Sequence, residues 1–261
     1  DVTEGIFKFG LSLNPSVTIE NAVNADGAYN KDGGGIIASA LHSAPIFPVY
    51  NADGSFCFAQ NAWSPDTQTT LEDGSIKKGN SQTQVWNPVA LALLQKDETK
   101  ASRIFGNVYG EVAFMPELRY RANFGIDIYN SSQDTFRPST IPVANTEGNP
   151  ESEPEATAKT AKMYNWLFEQ TMTYNKDIKG HSISALAGWT MQYQRDESTY
   201  AFANGFITNN IPTLNAGTVT RGNTNASEWA LLSGLARVQY NYKGKYMLTG
   251  ALRADGASRF G

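Results

Sequence analysis

Leu118-Arg119-Tyr120-Arg121-Ala122-Asn123-Phe124-Gly125-Ile126-Asp127-Ile128-Tyr129 is the stretch whose reading decides the fold. Leu118, Tyr120, Ala122, Phe124, Ile126 and Ile128 alternate with Arg119, Arg121, Asn123, Gly125, Asp127 and Tyr129. Successive strand side chains point to opposite faces, so the stretch predicts a strand with one apolar and one polar face. The pattern recurs from Ile183 through Ala185, Ala187, Trp189, Met191 and Tyr193, set against Ser182, Ser184, Leu186, Gly188, Thr190 and Gln192. A partner strand precedes each, over Ile104 to Phe114 and over Tyr164 to Tyr174. Two further hairpins are expected. One runs from Ile6 to Leu13, turns at Asn14-Pro15-Ser16 and returns over Val17 to Asn24. The other runs from Leu231 to Tyr242, turns at Lys243-Gly244-Lys245 and returns over Tyr246 to Arg253. The expectation is therefore an all-β chain of about eight antiparallel strands in four hairpins.

The spacing of these strands is as informative as their pattern. Short turns are expected at Asn14 to Ser16, Met115 to Glu117, Asn175 to Gly180 and Lys243 to Lys245. The intervening links run over about 25–100, 130–160 and 194–227. Compact soluble domains rarely carry structureless links of that length. Membrane barrels do: short turns at one end, long loops at the other, and aromatic girdles at both interfaces. Tyr174, Tyr240, Tyr242 and Tyr246 fall beside the short turns, and Tyr164, Trp166, Trp189 and Tyr193 towards the long links. Gln170 is the polar exception on the apolar parity.

Composition agrees and removes several classes of function. Charged residues make up 18% of the 261, aromatics 11%, and there are 23 glycines, a balance suited to strands and turns. A net charge of -4 with scattered Lys and Arg gives no footprint for nucleic acid. The single cysteine, Cys57, cannot form an intrachain disulfide, and His42 and His181 have no metal-ligand spacing, so neither metal nor cofactor is expected. The longest apolar run, Val89 to Leu94, is far short of the roughly 20 residues of a spanning helix, so any membrane crossing is by strands. A chain that opens on Asp1-Val2-Thr3-Glu4 and ends on Arg259-Phe260-Gly261 reads as an internal piece of a longer protein.

The last hairpin, Leu232-Ser233-Gly234-Leu235-Ala236-Arg237-Val238-Gln239-Tyr240-Asn241-Tyr242-Lys243-Gly244-Lys245-Tyr246-Met247-Leu248-Thr249, runs on to Arg253-Ala254-Asp255-Gly256-Ala257-Ser258-Arg259-Phe260-Gly261. It closely resembles the barrel signature of SusC/RagA-type TonB-linked outer-membrane proteins, departing from the usual pattern at Ala254 and Ala257. Ala44 to Phe56 and Asn87-Pro88-Val89-Ala90-Leu91-Ala92 are similar to segments of the same family's first long loops. In physical terms Asn51-Ala52-Asp53-Gly54 is a tight turn, and Asn87-Pro88 caps a short helix.

The resemblance implies a 22-stranded transmembrane barrel with an N-terminal plug, of which this chain is part of the wall. It implies import of an oligosaccharide or oligopeptide across the outer membrane beneath a SusD-like surface lipoprotein, powered by the TonB–ExbB–ExbD complex. On that reading Arg119, Arg121, Asn123 and Asp127, with Arg237, Gln239 and Asn241, face the lumen and the plug. Tyr109 and Glu111 share their parity. The apolar parity meets membrane lipid. Trp63, Trp86, Tyr200 and Phe206 are the candidate loop aromatics for stacking on sugar rings.

Two other classes are weighed. A soluble β-sandwich that binds carbohydrate or acts as an adhesin would bury Ile183, Ala187, Trp189 and Val238 against a second sheet. An all-β hydrolase needs a positioned acid/base pair. The only dense carboxylate run, Asn149-Pro150-Glu151-Ser152-Glu153-Pro154-Glu155, reads instead as a solvated loop.

Overall fold

Period-2 patterning becomes a single ladder in the computed structural model, which describes residues 2–23, 35–43, 48–57, 68–70, 76–78, 87–141 and 153–260. In chain order the elements are β1 (Val2–Glu4), β2 (Phe7–Asn21), α1 (Ile36–His42), β3 (Gln68–Thr70), β4 (Ile76–Lys78), α2 (Pro88–Leu94), β5 (Lys96–Met115), β6 (Leu118–Arg137), β7 (Glu155–Ile178), β8 (His181–Asn204), β9 (Thr218–Tyr242) and β10 (Tyr246–Ala257). Eight strands form one antiparallel sheet in the order β1-β2-β5-β6-β7-β8-β9-β10. The pair β3-β4 stands apart as a separate two-stranded sheet.

The first hairpin is not where the sequence puts it. Asn14-Pro15-Ser16 is no turn: β2 runs straight through it, with Asn14, Pro15 and Ser16 opposite Phe105, Ile104 and Arg103 of β5. The turn lies earlier, at Gly5-Ile6, where Gly5 takes φ 58 and returns the chain to the three-residue β1. Proline is tolerated because β1 ends opposite Phe9. Beyond it, β2 pairs on one side only within the described sheet, and a missing N–H costs little on an unpaired edge.

Strand ends are the second correction. The links expected over 130–160 and 194–227 are shorter, since β6 continues to Arg137, β7 starts at Glu155, β8 continues to Asn204 and β9 starts at Thr218. The turn expected over Asn175 to Gly180 shrinks to Lys179-Gly180, both at positive φ (49 and 89), as a twist-compatible two-residue hairpin turn requires. Stretches such as Gln194-Arg195-Asp196-Glu197-Ser198-Thr199 are polar on both faces. Hydropathy cannot reveal them; only the backbone ladder to β7 and β9 holds them. The asymmetry of connections survives, with a link at 22–95 that contains α1, α2, β3 and β4, and others at 138–154 and 205–217.

Rows of side chains cross all seven long strands. Phe7, Val112, Tyr120, Met172, Ala187, Ala236 and Leu252 form one such row. The neighbouring row on the same face is Phe9, Gly110, Ala122, Gln170, Trp189, Gly234 and Ala254, with Gln170 its polar member, and the row after that is Leu11, Val108, Phe124, Phe168, Met191, Leu232 and Gly256. This face is a continuous apolar belt. At its link end it finishes at Ile19 on β2 but at Leu252 on β10, and the row of Leu252 meets β2 at Phe7, twelve residues earlier. At the turn end the slide is smaller. A slide of roughly one to two residues per strand, with a rise of about 3.3 Å and a spacing of about 4.8 Å, makes the strands cross the belt at about 35–55°. On β8 the belt spans Ile183 to Tyr193, about 34 Å along the strand and about 24 Å across at a 45° tilt, the height of the apolar band of a membrane barrel.

Among the described residues no second sheet covers this belt: Trp189 is 44% exposed, Val238 51% and Leu252 76%. The buried clusters lie instead at the link end. Phe136, Ala156, Ala203 and Phe206 form one, and Leu91 and Ile141 the other, the latter packed by Ile36 and Leu94.

Candidate functional site: the polar face and its two ends

The face opposite the belt carries the chemistry. Arg119, Thr173, Leu186 and Arg237 form one row, and Glu111, Arg121, Thr171, Gly188, Leu235 and Arg253 the next. Tyr109, Asn123, Glu169, Thr190, Ser233 and Asp255 form a third. The register therefore puts Arg119, Arg121, Asn123, Asp127, Arg237 and Gln239 on one face, together with Tyr109, Glu111 and Asn241.

Hydrogen bonds knit this face across the strands. Asn107 Nδ2 donates to Asn123 Oδ1 (2.8 Å), and Asn123 Nδ2 donates to Glu169 Oε2 (3.1 Å). Arg103 grips Asp127 through two parallel bonds, Nε to Oδ1 at 2.7 Å and Nη2 to Oδ2 at 2.6 Å, the bidentate geometry in which guanidinium and carboxylate pair best. Arg121 lies over the Tyr109 ring, 3.9 Å from its centroid, and Glu111 stands 3.9 and 4.0 Å from Arg119 and Arg121. Arg103, Asn107 and Glu169 are members of this network that sequence reading missed. For Asn107 and Glu169 parity was the available signal, once Ile104–Phe114 and Tyr164–Tyr174 were placed as strands; Arg103 falls just before the expected strand, in a part of β5 not read as strand.

The motif at the chain's end acquires a physical meaning here. Arg253 Nε donates to both oxygens of Asp255 (3.0 and 2.9 Å), and its Nη2 reaches Ser233 Oγ (3.3 Å) across β9. Past Ala257 the chain folds into a tight turn over Ser258–Phe260. Ser258 Oγ accepts the Ala230 N–H at 2.9 Å, and the Arg259 guanidinium sits 5.3 Å from the Trp229 ring centroid. The Arg-x-Asp and Ser-Arg elements thus close the end of β10 back onto β9.

On the apolar face the one polar intruder is satisfied, because the Tyr120 hydroxyl donates to Gln170 Oε1 from the next row. Near the link end, rings line up across three strands: Trp166 is stacked on Phe124 and on Tyr193, each with centroids 6.3 Å apart. The Tyr193 hydroxyl donates to Glu228 Oε2 (2.8 Å), where Arg195 also binds. Trp189 stands mid-belt opposite Gly234 rather than at the link end. At the turn end Ile178, His181, Tyr242 and Tyr246 share a row, with His181 Nδ1 2.6 Å from the Tyr240 hydroxyl. Adjacent turns are tied: the Asn175 N–H donates to the Glu117 carbonyl (2.9 Å), and Lys176 lies 3.2 Å from the Glu117 carboxylate, holding that carboxyl below its ordinary range.

The four candidate stacking aromatics separate. Trp63 and Trp86 lie outside the described residues. Tyr200 is not in a loop; it is in β8 on the polar face, opposite Lys159 and Asn223. Phe206 is in a link but only 7% exposed, its ring edge-on to Phe136 at 5.5 Å, so it packs the link end rather than presenting a free face.

The 22–95 link is organised by Asn87. Its Oδ1 accepts the N–H groups of Val89 and Ala90 (3.1 and 3.2 Å), capping α2 with Pro88 at the first helical position. Its Nδ2 donates to the carbonyls of Val49 (2.7 Å) and Cys57 (3.1 Å). Those residues flank the Asn51-Ala52-Asp53-Gly54 turn, which is closed by the Tyr50–Phe56 bridge, with Gly54 at φ 84. Ser55 donates to Asp53 and keeps its carboxyl below the ordinary range. One buried amide thus joins the two family-like segments of this link.

No family model matches the chain. Over 264 residues it is 32% identical to TonB-dependent receptor P3 of Formosa agariphila, an alignment covering 100% of this chain and 24% of that protein. It is 24% identical to TonB-dependent receptor SusC of Bacteroides thetaiotaomicron, again over 100% of this chain and 25% of the relative. Its fold matches a chain of the RagAB peptide transporter with a TM-score of 0.71 at 18% identity, covering 99% of this chain and 27% of that one. The chain spans about a quarter of the length of these relatives. With its full length aligned at 32% identity to a TonB-dependent receptor and its fold matched within a solved transporter chain, the chain belongs to the TonB-dependent receptors.

Proposed function

We propose that this chain is wall and surface loops of an outer-membrane transporter that imports a large nutrient, an oligosaccharide or oligopeptide. A SusD-like lipoprotein would capture the ligand at the surface, and the TonB–ExbB–ExbD complex would act through a part of the protein outside this chain. The observation that carries this reading is the sheet's two-sidedness. An apolar belt about 24 Å high crosses seven tilted strands on one face, and a hydrogen-bonded polar face backs it. The matched solved structure is a peptide transporter, which supports import.

In this reading Arg119, Arg121, Asn123, Asp127, Arg237 and Gln239 line a hydrated interior. Arg119 and Arg121, close to the β5–β6 turn and hence to the periplasmic end, contact a plug. Trp63 and Trp86, in the long surface link, are the proposed stacking platforms. The test is fractionation of cells that make the full-length protein, followed by nutrient uptake with the gene deleted. The expected product sits in the outer membrane and shifts on gels when heated, as closed barrels do, and deletion abolishes growth on an oligomer while sparing growth on its monomer. A soluble product with no heat shift sinks the reading.

A further inference from the structure

A cleft of about 310 Å³ lies between the β7–β8 and β9–β10 turns. The two turns form one unit, since the Lys243 N–H donates to the Gly180 carbonyl (2.7 Å) and the Lys243 stem crosses Gly180, its Cγ 3.0 Å from where a Cβ would stand. Asn241 Oδ1 accepts the Gly244 N–H (3.0 Å) and steadies the second turn. Both turns place lysine in left-handed backbone, Lys179 at φ 49 and Lys243 at φ 52. Asn, Asp or Gly would sit there with less strain, and strain retained at a surface turn points to a use for the side chain.

Lys179 and Lys243 line the cleft against one carboxylate, Asp177, and Lys245 follows in the same turn. His181, also in the lining, begins the apolar face, where the row Ile178, His181, Tyr242 and Tyr246 leads to Ile183, Tyr240 and Leu248. Lys243 Nζ is held 5.2 Å from the Tyr242 ring centroid, on the edge of that face. The cleft straddles the rim of the sheet, lined by Asp177, Ser182 and Asn241 from the polar face and by Ile178 and His181 from the apolar one, so an anionic head held by the lysines would set hydrocarbon tails along the apolar row beyond His181.

We propose that this cleft binds the phosphate headgroup of an anionic phospholipid, with the acyl chains lying along Ile183, Tyr240 and Leu248. The proposal rests on the reading of the apolar face as membrane-exposed. A zwitterionic headgroup would bring its own ammonium against the lysines, and free phosphate would make no use of the adjoining apolar row.

The test is native mass spectrometry of the full-length transporter, purified from outer membranes in mild detergent and titrated with phosphatidylglycerol or phosphatidylethanolamine. The variant is Lys179→Asn with Lys243→Asn, because asparagine accepts positive φ and keeps both turns. The control, Lys100→Gln with Lys162→Gln, removes the same charge at the link end. The expected result is preference for phosphatidylglycerol, weakened about fivefold per cleft lysine and about 30-fold in the double variant, with the control unchanged and inorganic phosphate failing to displace the lipid. Equal binding by the double variant, an equal loss in the control, or displacement by phosphate overturns the proposal. If the protein is heat-modifiable and the lipid result still fails, only this inference falls; absence of heat modification overturns the membrane reading beneath it.

Discussion

At the scale of single residues, Asn87 and Gly188 carry more structure than their neighbours. Replacing Asn87 with Ala strips the cap from α2 and removes the side-chain donor to the carbonyls of Val49, which still accepts the Cys57 N–H, and of Cys57, a loss of about 1–2 kcal/mol confined to the 22–95 link. In the full-length protein, Asn87→Ala is expected to speed protease cleavage of that link tenfold or more while the heat-modifiable fraction stays constant. Gly188 sits where a Cβ would be 2.5 Å from the Gln170 carbonyl, whereas a Cβ at Gly234 meets nothing within 4 Å. Gly188→Ala should therefore cost about 1–3 kcal/mol and Gly234→Ala under about 0.5 kcal/mol, read from urea unfolding of the full-length protein in lipid by gel mobility. Equal tolerance at both sites contradicts the close approach of β7 and β8.

At the scale of elements, the decisive property is parity along each strand. Nitroxide labels at Ala236 and Val238, in a background with Cys57 replaced by Ser, should collide with oxygen dissolved in lipid. Labels at Arg237 and Gln239 should not, and oxygen accessibility should alternate residue by residue along β9. A flat accessibility profile would remove the two-faced wall. The same alternation made β6 and β8 legible from their residues alone, because Leu118 to Ile128 and Ile183 to Tyr193 each repeat at period 2. It failed at Pro15, which reads as a turn signal but lies in a strand paired on one side. It failed again along the outer halves of β7 to β9, where both faces are polar and only pairing with neighbours keeps the chain extended.

At the scale of the whole molecule, the sheet is open among the described residues along β2 beyond Phe9 and along β10. In lipid every backbone group must find a partner, so a stretch of wall with free edges is not a stable membrane unit. The isolated 261-residue polypeptide, refolded in detergent, is expected to give oligomers or aggregates with no heat-dependent shift, while the full-length protein gives a monomeric band that shifts. A stable, heat-modifiable monomer from the isolated chain contradicts that account.

What the residues determined unaided is the strand class, the two faces, most of the short turns and the family, all of them local patterns or contiguous motifs. The grouping of Arg119, Arg121, Asn123 and Asp127 on one face was likewise legible, since parity is a property of one strand. Tertiary structure alone decided which strands neighbour which, and therefore that Asn107, Asn123 and Glu169 form a chain of bonds and that Arg103 holds Asp127. It alone showed that Phe206 is packed rather than free and that Asn87 joins segments 30 and 38 residues away in sequence. The physical reason is that side-chain alternation is written into each residue's position along the chain. Register and long-range hydrogen bonds depend on which backbone groups are brought opposite one another.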